Sequence, residues 1–172
     1  MSQLHPIPVS ELHQNVFTAI GKEWMLITAE TEKDGKPTAN TMTASWGGLG
    51  RLWNKDVAFA FIRPQRYTKE FVDNADTFSL CFFGGEKMQE LKYLGTVSGR
   101  DEDKIAKSGL TLTHIDGVPC FEEATTVLLC RKMYVQTLRE DCFTDRAVME
   151  NSYPQRDFHD VYVAEIMKVL VK

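Results

Sequence analysis

The six residues from Arg63 to Thr68, RPQRYT, hold the densest chemistry in the chain. Arg63 ends an apparent strand, Pro64 breaks it, Arg66 follows in the turn, and Thr68 stands where a helix would begin. The first N–H groups of a helix have no partner inside it, and its dipole favours an anion there. A guanidinium adds a forked, charged donor and a hydroxyl adds another. The set would suit a phosphomonoester. It would equally suit a plain helix cap flanked by solvated arginines.

The second candidate is NTMTASWGGLG, Asn40 to Gly50. Thr41, Thr43 and Ser45 alternate, either as the wet face of a sheet or as hydroxyls for the polar edge of a flat heterocycle. Ala44 and Ser45 are small enough to let a ring approach the backbone. Trp46 can stack on such a ring, wall it in, or simply belong to the core. The glycines after Trp46 are not a dinucleotide fingerprint. Gly47, Gly48 and Gly50 would need a glycine where Trp53 stands, and a strand rather than a helix follows. Nor does any G-x-x-x-x-G-K-[ST] loop occur.

Other chemistries are argued against by what the chain lacks. Cys81, Cys120, Cys130 and Cys142 form no C-x-x-C pair and fit no zinc template, and the four histidines are scattered. The cysteines read as small hydrophobes kept reduced. No Ser/His/Asp or paired-carboxylate constellation stands out. A net charge of −4 argues against nucleic acid as a partner. No run of about 18 apolar residues exists to span a membrane. The opening MSQLHPIPVS lacks the basic head and apolar run of a secretory signal, so a cytosolic protein is expected.

The elements that must position these residues follow from periodicity and turn chemistry. With 172 residues, 43% of them hydrophobic, the chain is expected to form one domain over 1–172. Ser10 can cap a short helix through about Ala19 that Gly21 ends. WMLITAET and PTANTMTASW flank the hairpin turn Asp34-Gly35. DVAFAFIR is a third strand, and Thr68 can cap the helix KEFVDNA. TFSLCFF is a fourth strand, stopped by Gly84-Gly85. Met88, Leu91 and Leu94 share a helix face that ends at Gly95, and Asp101 can cap a short helix through Lys107. TTVLLCRKMYVQTLR and HDVYVAEIMKVLV are the last two strands. The expectation is a mainly β protein, an antiparallel barrel with a few peripheral α-helices.

Four passages together resemble the flavin reductase-like family of FMN-binding split barrels, which includes the flavoredoxins. They are NTMTASW, FAFIRPQRYTKEFVDNADTFSLCFF, LGTVSGRDEDKIAKSGL and HDVYVAEI, and the likeness runs from about residue 20 to residue 172. The resemblance implies a split β-barrel homodimer holding FMN noncovalently near the subunit interface. By position, Thr43, Ala44, Ser45 and Trp46 would line the ring and ribityl chain. Arg63, Arg66 and Thr68, with Tyr67 between them, would serve the phosphate. Cys81 and Phe82 could touch the ring from the next strand, with Ser98 and Lys104 as further candidates. NAD(P)H would supply hydride, and free flavin, a metal or a protein would accept the electrons. An FMN-holding electron carrier or flavin store without its own NAD(P)H activity is the alternative, and a cofactor-free dimeric scaffold is a third reading. In the late strand His159 precedes Glu165 by six positions. Where the family often has Gly-Asp before that histidine, this chain has Asp157-Phe158, which sets any role of His159 near a nicotinamide apart from the family pattern.

Overall fold

A computed structural model describes residues 3–172. After a short edge strand β1 (His5–Ile7) and helix α1 (Val16–Gly21), four strands follow: β2 (Met25–Lys33), β3 (Lys36–Ala44), β4 (Gly47–Leu52) and β5 (Lys55–Ile62). Helix α2 (Tyr67–Asn74) and strand β6 (Thr77–Phe82) come next, then helices α3 (Met88–Thr96) and α4 (Lys104–Lys107). A two-stranded hairpin, β7 (Leu112–Ile115) and β8 (Val118–Phe121), precedes the long strand β9 (Thr126–Thr137). Helix α5 (Arg146–Ser152) and strand β10 (Asp160–Val171) complete the chain.

The main sheet runs β3-β2-β6-β9-β10-β5-β4, with β1 added to β10, and its pairings are antiparallel. Its two outermost strands, β3 and β4, are consecutive in sequence and joined only by Ser45 and Trp46. The curled sheet is therefore closed at that corner by the chain itself and not by a ladder of hydrogen bonds. Two register shifts between β9 and β10, at Val163/Ala164 and Ile166/Lys168, help the long strands bend into a barrel.

Period-two alternation sorts the side chains. Met25, Ile27 and Ala29 point inward with Met42, Ala44, Ala58, Ala60, Ile62, Phe78, Leu80 and Phe82, and together they fill the barrel. The alternate residues Leu26, Cys81, Val127 and Leu129 form a second core on the outer face, under α3, α4 and the β7–β8 hairpin. Cys81, Cys120 and Cys130 are buried there or in the barrel as small apolar residues, and only Cys142 is exposed. No helix among the described residues is long and apolar enough to cross a membrane.

Several local expectations change. Asn15, not Ser10, caps α1, accepting from the N–H groups of Phe17 and Thr18. Asp103, not Asp101, caps α4 through the Ala106 N–H. The helix read to end at Gly95 runs one residue further, to Thr96. The glycine run after Trp46 is strand β4, hairpinned to β5 through Trp53 and Asn54, which adopt φ of 52° and 58°. Gly47 is required there by space: a Cβ would meet the Phe59 carbonyl oxygen at 2.9 Å, whereas one at Gly48 would find nothing nearer than 3.7 Å. Gly47→Ala should therefore lower unfolding stability by roughly 1–3 kcal/mol in urea titrations, with Gly48→Ala close to wild type. Equal stabilities for the two variants would contradict this account of the corner.

Candidate functional site

The corner where the sheet fails to close is a groove of about 190 Å³, lined by Met42, Thr43, Ala44, Ser45, Trp46, Phe61, Arg63, Arg66 and His159. Strand β3 supplies its floor. Thr41 and Thr43 are not a wet face: Thr41 is fully buried and donates to the Ile27 carbonyl at 3.1 Å, while Thr43 donates to the Leu91 carbonyl of α3 at 2.5 Å. Ser45 and Trp46 are exposed at the mouth. The Trp46 ring lies 5.0 Å from the His159 ring.

Arg66 also lines a second hollow of about 190 Å³, with Gln65, Tyr67, Thr68, Gly95, Thr96, Val97, Ser98 and Lys104. The groove and the hollow are thus joined through one guanidinium. Arg66 donates to the Gly95 carbonyl at 3.0 Å. Lys104, only 3% exposed, donates to the carbonyls of Leu94 at 2.7 Å and Val97 at 3.0 Å. Both cations are held by carbonyl groups at the C-terminal end of α3, where the helix dipole is negative. Among the described residues neither forms a salt bridge, so dipoles orient them and no carboxylate neutralises them. Burial and the charge of Arg66 push the Lys104 ammonium down to about 8. Burial likewise lowers the Arg66 guanidinium from its ordinary value.

Helix α2 starts at this hollow. Unlike α1, α4 and α5, it has no side-chain cap, with Arg66 in the capping position. Thr68 is not the cap expected from sequence. It sits buried in the first turn and accepts from Asn40 Nδ2 at 2.9 Å. Its own hydroxyl proton has no acceptor among the described residues. The backbone at Gly99 comes so close that a Cβ would lie 2.3 Å from Asn40 Oδ1. Ser98 accepts from the Arg100 N–H at 3.2 Å on the rim. The Tyr67 hydroxyl accepts from Lys33 at 2.8 Å, and its ring lies within 4.5 Å of the Lys33 and Arg100 charges.

Three expected residues are placed differently. Arg63 does not line the hollow. It lines the groove beside Trp46, paired with Asp157 at 2.5 Å and donating to the Ser152 carbonyl at 2.9 Å. Cys81 and Phe82 do not reach the groove. Phe82 faces the barrel interior, Cys81 the outer core, and β2 separates both from β3. Burial raises the Cys81 thiol to about 12. His159 does line the groove and is 7% exposed.

The sequence reading missed Met42, Phe61 and the carbonyls of Leu94, Gly95 and Val97. Phe61 was legible as the outward member of DVAFAFIR, between inward Ala60 and Ile62. A wider apolar cleft of about 640 Å³ adjoins the groove and shares Ser45, Trp46 and Phe61 with it.

The flavin reductase like domain model matches residues 17–172, nearly all of the chain. The chain belongs to the flavin reductase-like family. Solved structures share the fold of this family member at low identity. A flavoredoxin from Methanosarcina acetivorans is 24% identical, with 94% of this chain and 74% of that chain covered and a TM-score of 0.64. A flavoredoxin of Desulfovibrio vulgaris (Miyazaki F) is 20% identical over 96% and 77%, with a TM-score of 0.66. An NADH:FAD oxidoreductase of Streptomyces globisporus is 11% identical over 87% and 75%, with a TM-score of 0.64. No curated protein sequence is similar enough to match.

The buried cation gives a test of this geometry. Lys104 in the unfolded chain keeps its ordinary value of 10.5, against about 8 in the folded protein. Between those values the unfolded chain binds a proton that the folded protein does not, so this contribution makes stability rise with pH. In ligand-free protein, the stability of wild type relative to Lys104→Met should grow between pH 8 and 10.5 by up to on the order of 3 kcal/mol. A difference that stays flat with pH would mean Lys104 is not held as a buried, unneutralised ammonium.

Proposed function

We propose that this protein is an FMN-dependent oxidoreductase that takes hydride from NADH or NADPH and passes electrons to free flavin, a metal or a protein acceptor. One observation carries the reading: a groove with small residues and a tryptophan runs through Arg66 into a hollow that holds two cations and no paired carboxylate. The donor set fits a flat ring with a phosphorylated tail. Arg66 and Lys104 offer charge, Ser98 and Thr68 offer hydroxyls, and the uncapped start of α2 offers N–H groups. Thr43, Ala44, Ser45 and Trp46 offer a narrow wall for the ring, and Met42 and Phe61 add apolar contact.

When bound, FMN supplies the ring that accepts hydride and releases electrons. The chain's own part is to bind, orient and shield. Arg66 and Lys104 anchor the dianionic end. Arg63, already neutralised by Asp157, leaves the ring end without a competing anion site. The apolar cleft beside Trp46 and Phe61 gives room for a second substrate. Family membership and the structural likeness to an NADH:FAD oxidoreductase support hydride chemistry of this class.

A homodimer in the cytosol completes the reading. The dimer is supported by Phe17 and Trp46, large apolar side chains exposed in the lining of the cleft, and by Trp53, Tyr134 and Val135, which are exposed elsewhere on the surface. The carrier reading, FMN held without NAD(P)H activity, is favoured by one feature, the Asp157-Phe158 pair before His159.

Arg66→Ala should weaken FMN binding by about 1.5–3 kcal/mol, read by flavin fluorescence titration. Riboflavin, which lacks the phosphate, should bind wild type and variant alike. Equal FMN affinities would remove Arg66 from the site. Anaerobic mixing of the FMN-loaded protein with NADH or NADPH should bleach the flavin absorbance. Bleaching by a reduced partner protein alone would leave the carrier.

A further inference from the structure

His159 is the one imidazole in the groove, and its ring is held from several sides. Trp46 lies tilted at 5.0 Å and Phe61 edge-on at 6.5 Å between ring centroids. Nδ1 lies 2.8 Å from the hydroxyl of Tyr153, itself only 3% exposed. That contact fixes where the imidazole proton resides. Tyr153 is buried, so its hydroxyl proton needs an acceptor within the protein. The hydroxyl proton has one acceptor among the described residues, His159 Nδ1. Tyr153 therefore donates, Nδ1 accepts, and a neutral ring must carry its proton on Nε2.

The surrounding charges keep the ring neutral. Arg63, within 5.0 Å of the Tyr153 ring, opposes a positive imidazole. Asp157 and Asp160 would favour one, but both are engaged. Asp157 accepts from Arg63 and Gln65, and Asp160 from Lys69 and Thr137. Burial first and Arg63 second push His159 down to about 4. Among the described residues Nε2 has no partner. The one buried side-chain polar atom left orphaned among the described residues is Gln14 Oε1, so Nε2 opens to solvent through the groove that His159 lines.

We infer that Tyr153 is a positioning residue that fixes His159 as a neutral Nε2–H donor on the groove wall, so that the site selects second substrates with a carbonyl oxygen able to lie beside the ring. The substrate half of this inference rests on the function proposed above, while the tautomer half stands on the geometry alone. The donor is available at any pH near neutrality, because no proton needs to be gained or lost. An acceptor such as an amide, aldehyde or enone oxygen satisfies it, and a ligand offering only donors or hydrocarbon leaves it unpaired.

The test uses the full chain, loaded with FMN and labelled with 15N-histidine, observed by long-range proton–nitrogen NMR. Wild type should show the Nε2–H tautomer of His159, unchanged from about pH 6 to about pH 8. Tyr153→Phe should give a mixture of tautomers and a titration displaced upward, toward the ordinary 6.5. It should also raise KM for NADH on the order of fivefold, with FMN affinity unchanged. A wild-type Nδ1–H signal, or an unaltered tautomer in Tyr153→Phe, overturns the positioning role. An altered tautomer with KM unchanged overturns the substrate selection. The expected wild-type and variant signals in a protein that NADH does not reduce would support the role of Tyr153 and count against the proposed function.

Discussion

Two cations, the half-buried Arg66 and the buried Lys104, are held in place by carbonyl oxygens of one helix end, and the candidate site depends on that arrangement. A carboxylate would have fixed the same side chains more tightly and cancelled their charge. The carbonyls of Leu94, Gly95 and Val97 supply direction without cancelling it. The cost is visible in Lys104, whose ammonium is pushed down to about 8 by burial and by the nearby Arg66 charge. An anion of two charges arriving in the hollow reverses both penalties. The folded protein is thus less stable than it could be where an anion would be most strongly attracted, a common exchange at functional sites.

The position of that helix end is itself set by the sheet. Helix α3 packs on β3 through the second core, where Leu91 and Leu94 are completely buried. Thr43, on the outward side of β3, accommodates the close approach: it donates to Leu91, and a Cβ on Gly95 would sit 3.1 Å from its own Cβ. The groove exists because β3 and β4 are joined by two residues and not by hydrogen bonds. Neighbouring strands would have brought side chains across the gap. The opening at Ser45 and Trp46 is therefore a consequence of topology, and the small residues there keep it open.

Much of the fold was legible in the sequence because its signals are local. Asp34-Gly35 announces its hairpin by demanding positive φ, and apolar runs such as DVAFAFIR and TFSLCFF mark strands of the barrel. The same logic applied to Asp116-Gly117 would have given the β7–β8 hairpin, which the sequence reading passed over. Strand β4 was hidden because three glycines in six residues lack strand propensity, and only its pairing with β5 makes it a strand. The helix caps slipped because several polar residues compete within two to five positions, Ser10 against Asn15 and Asp101 against Asp103. At the site, residue types in RPQRYT and NTMTASW suggested what could gather there. Backbone carbonyls at the end of α3 carry no residue signature, so their part was not legible.

The contrast between Arg63 and Arg66 shows why the residue type alone was insufficient. They are three positions apart, on the same turn, and chemically identical. Pro64 and the turn that returns Arg66 N–H to the Arg63 carbonyl send them in opposite directions. Arg63 meets Asp157, and its charge is neutralised at the end of the groove beside Trp46 and Tyr153. Arg66 meets only dipoles, and its charge survives at the other end. The result is a groove with positive potential concentrated at one end and a neutral imidazole at the other. A ligand with an anionic tail and an uncharged ring can enter such a groove in one orientation with its charge satisfied, and the reverse orientation would place the anion beside Asp157. Orientation thus follows from which of two arginines has a carboxylate partner, a fact decided by residues about ninety positions away in the chain.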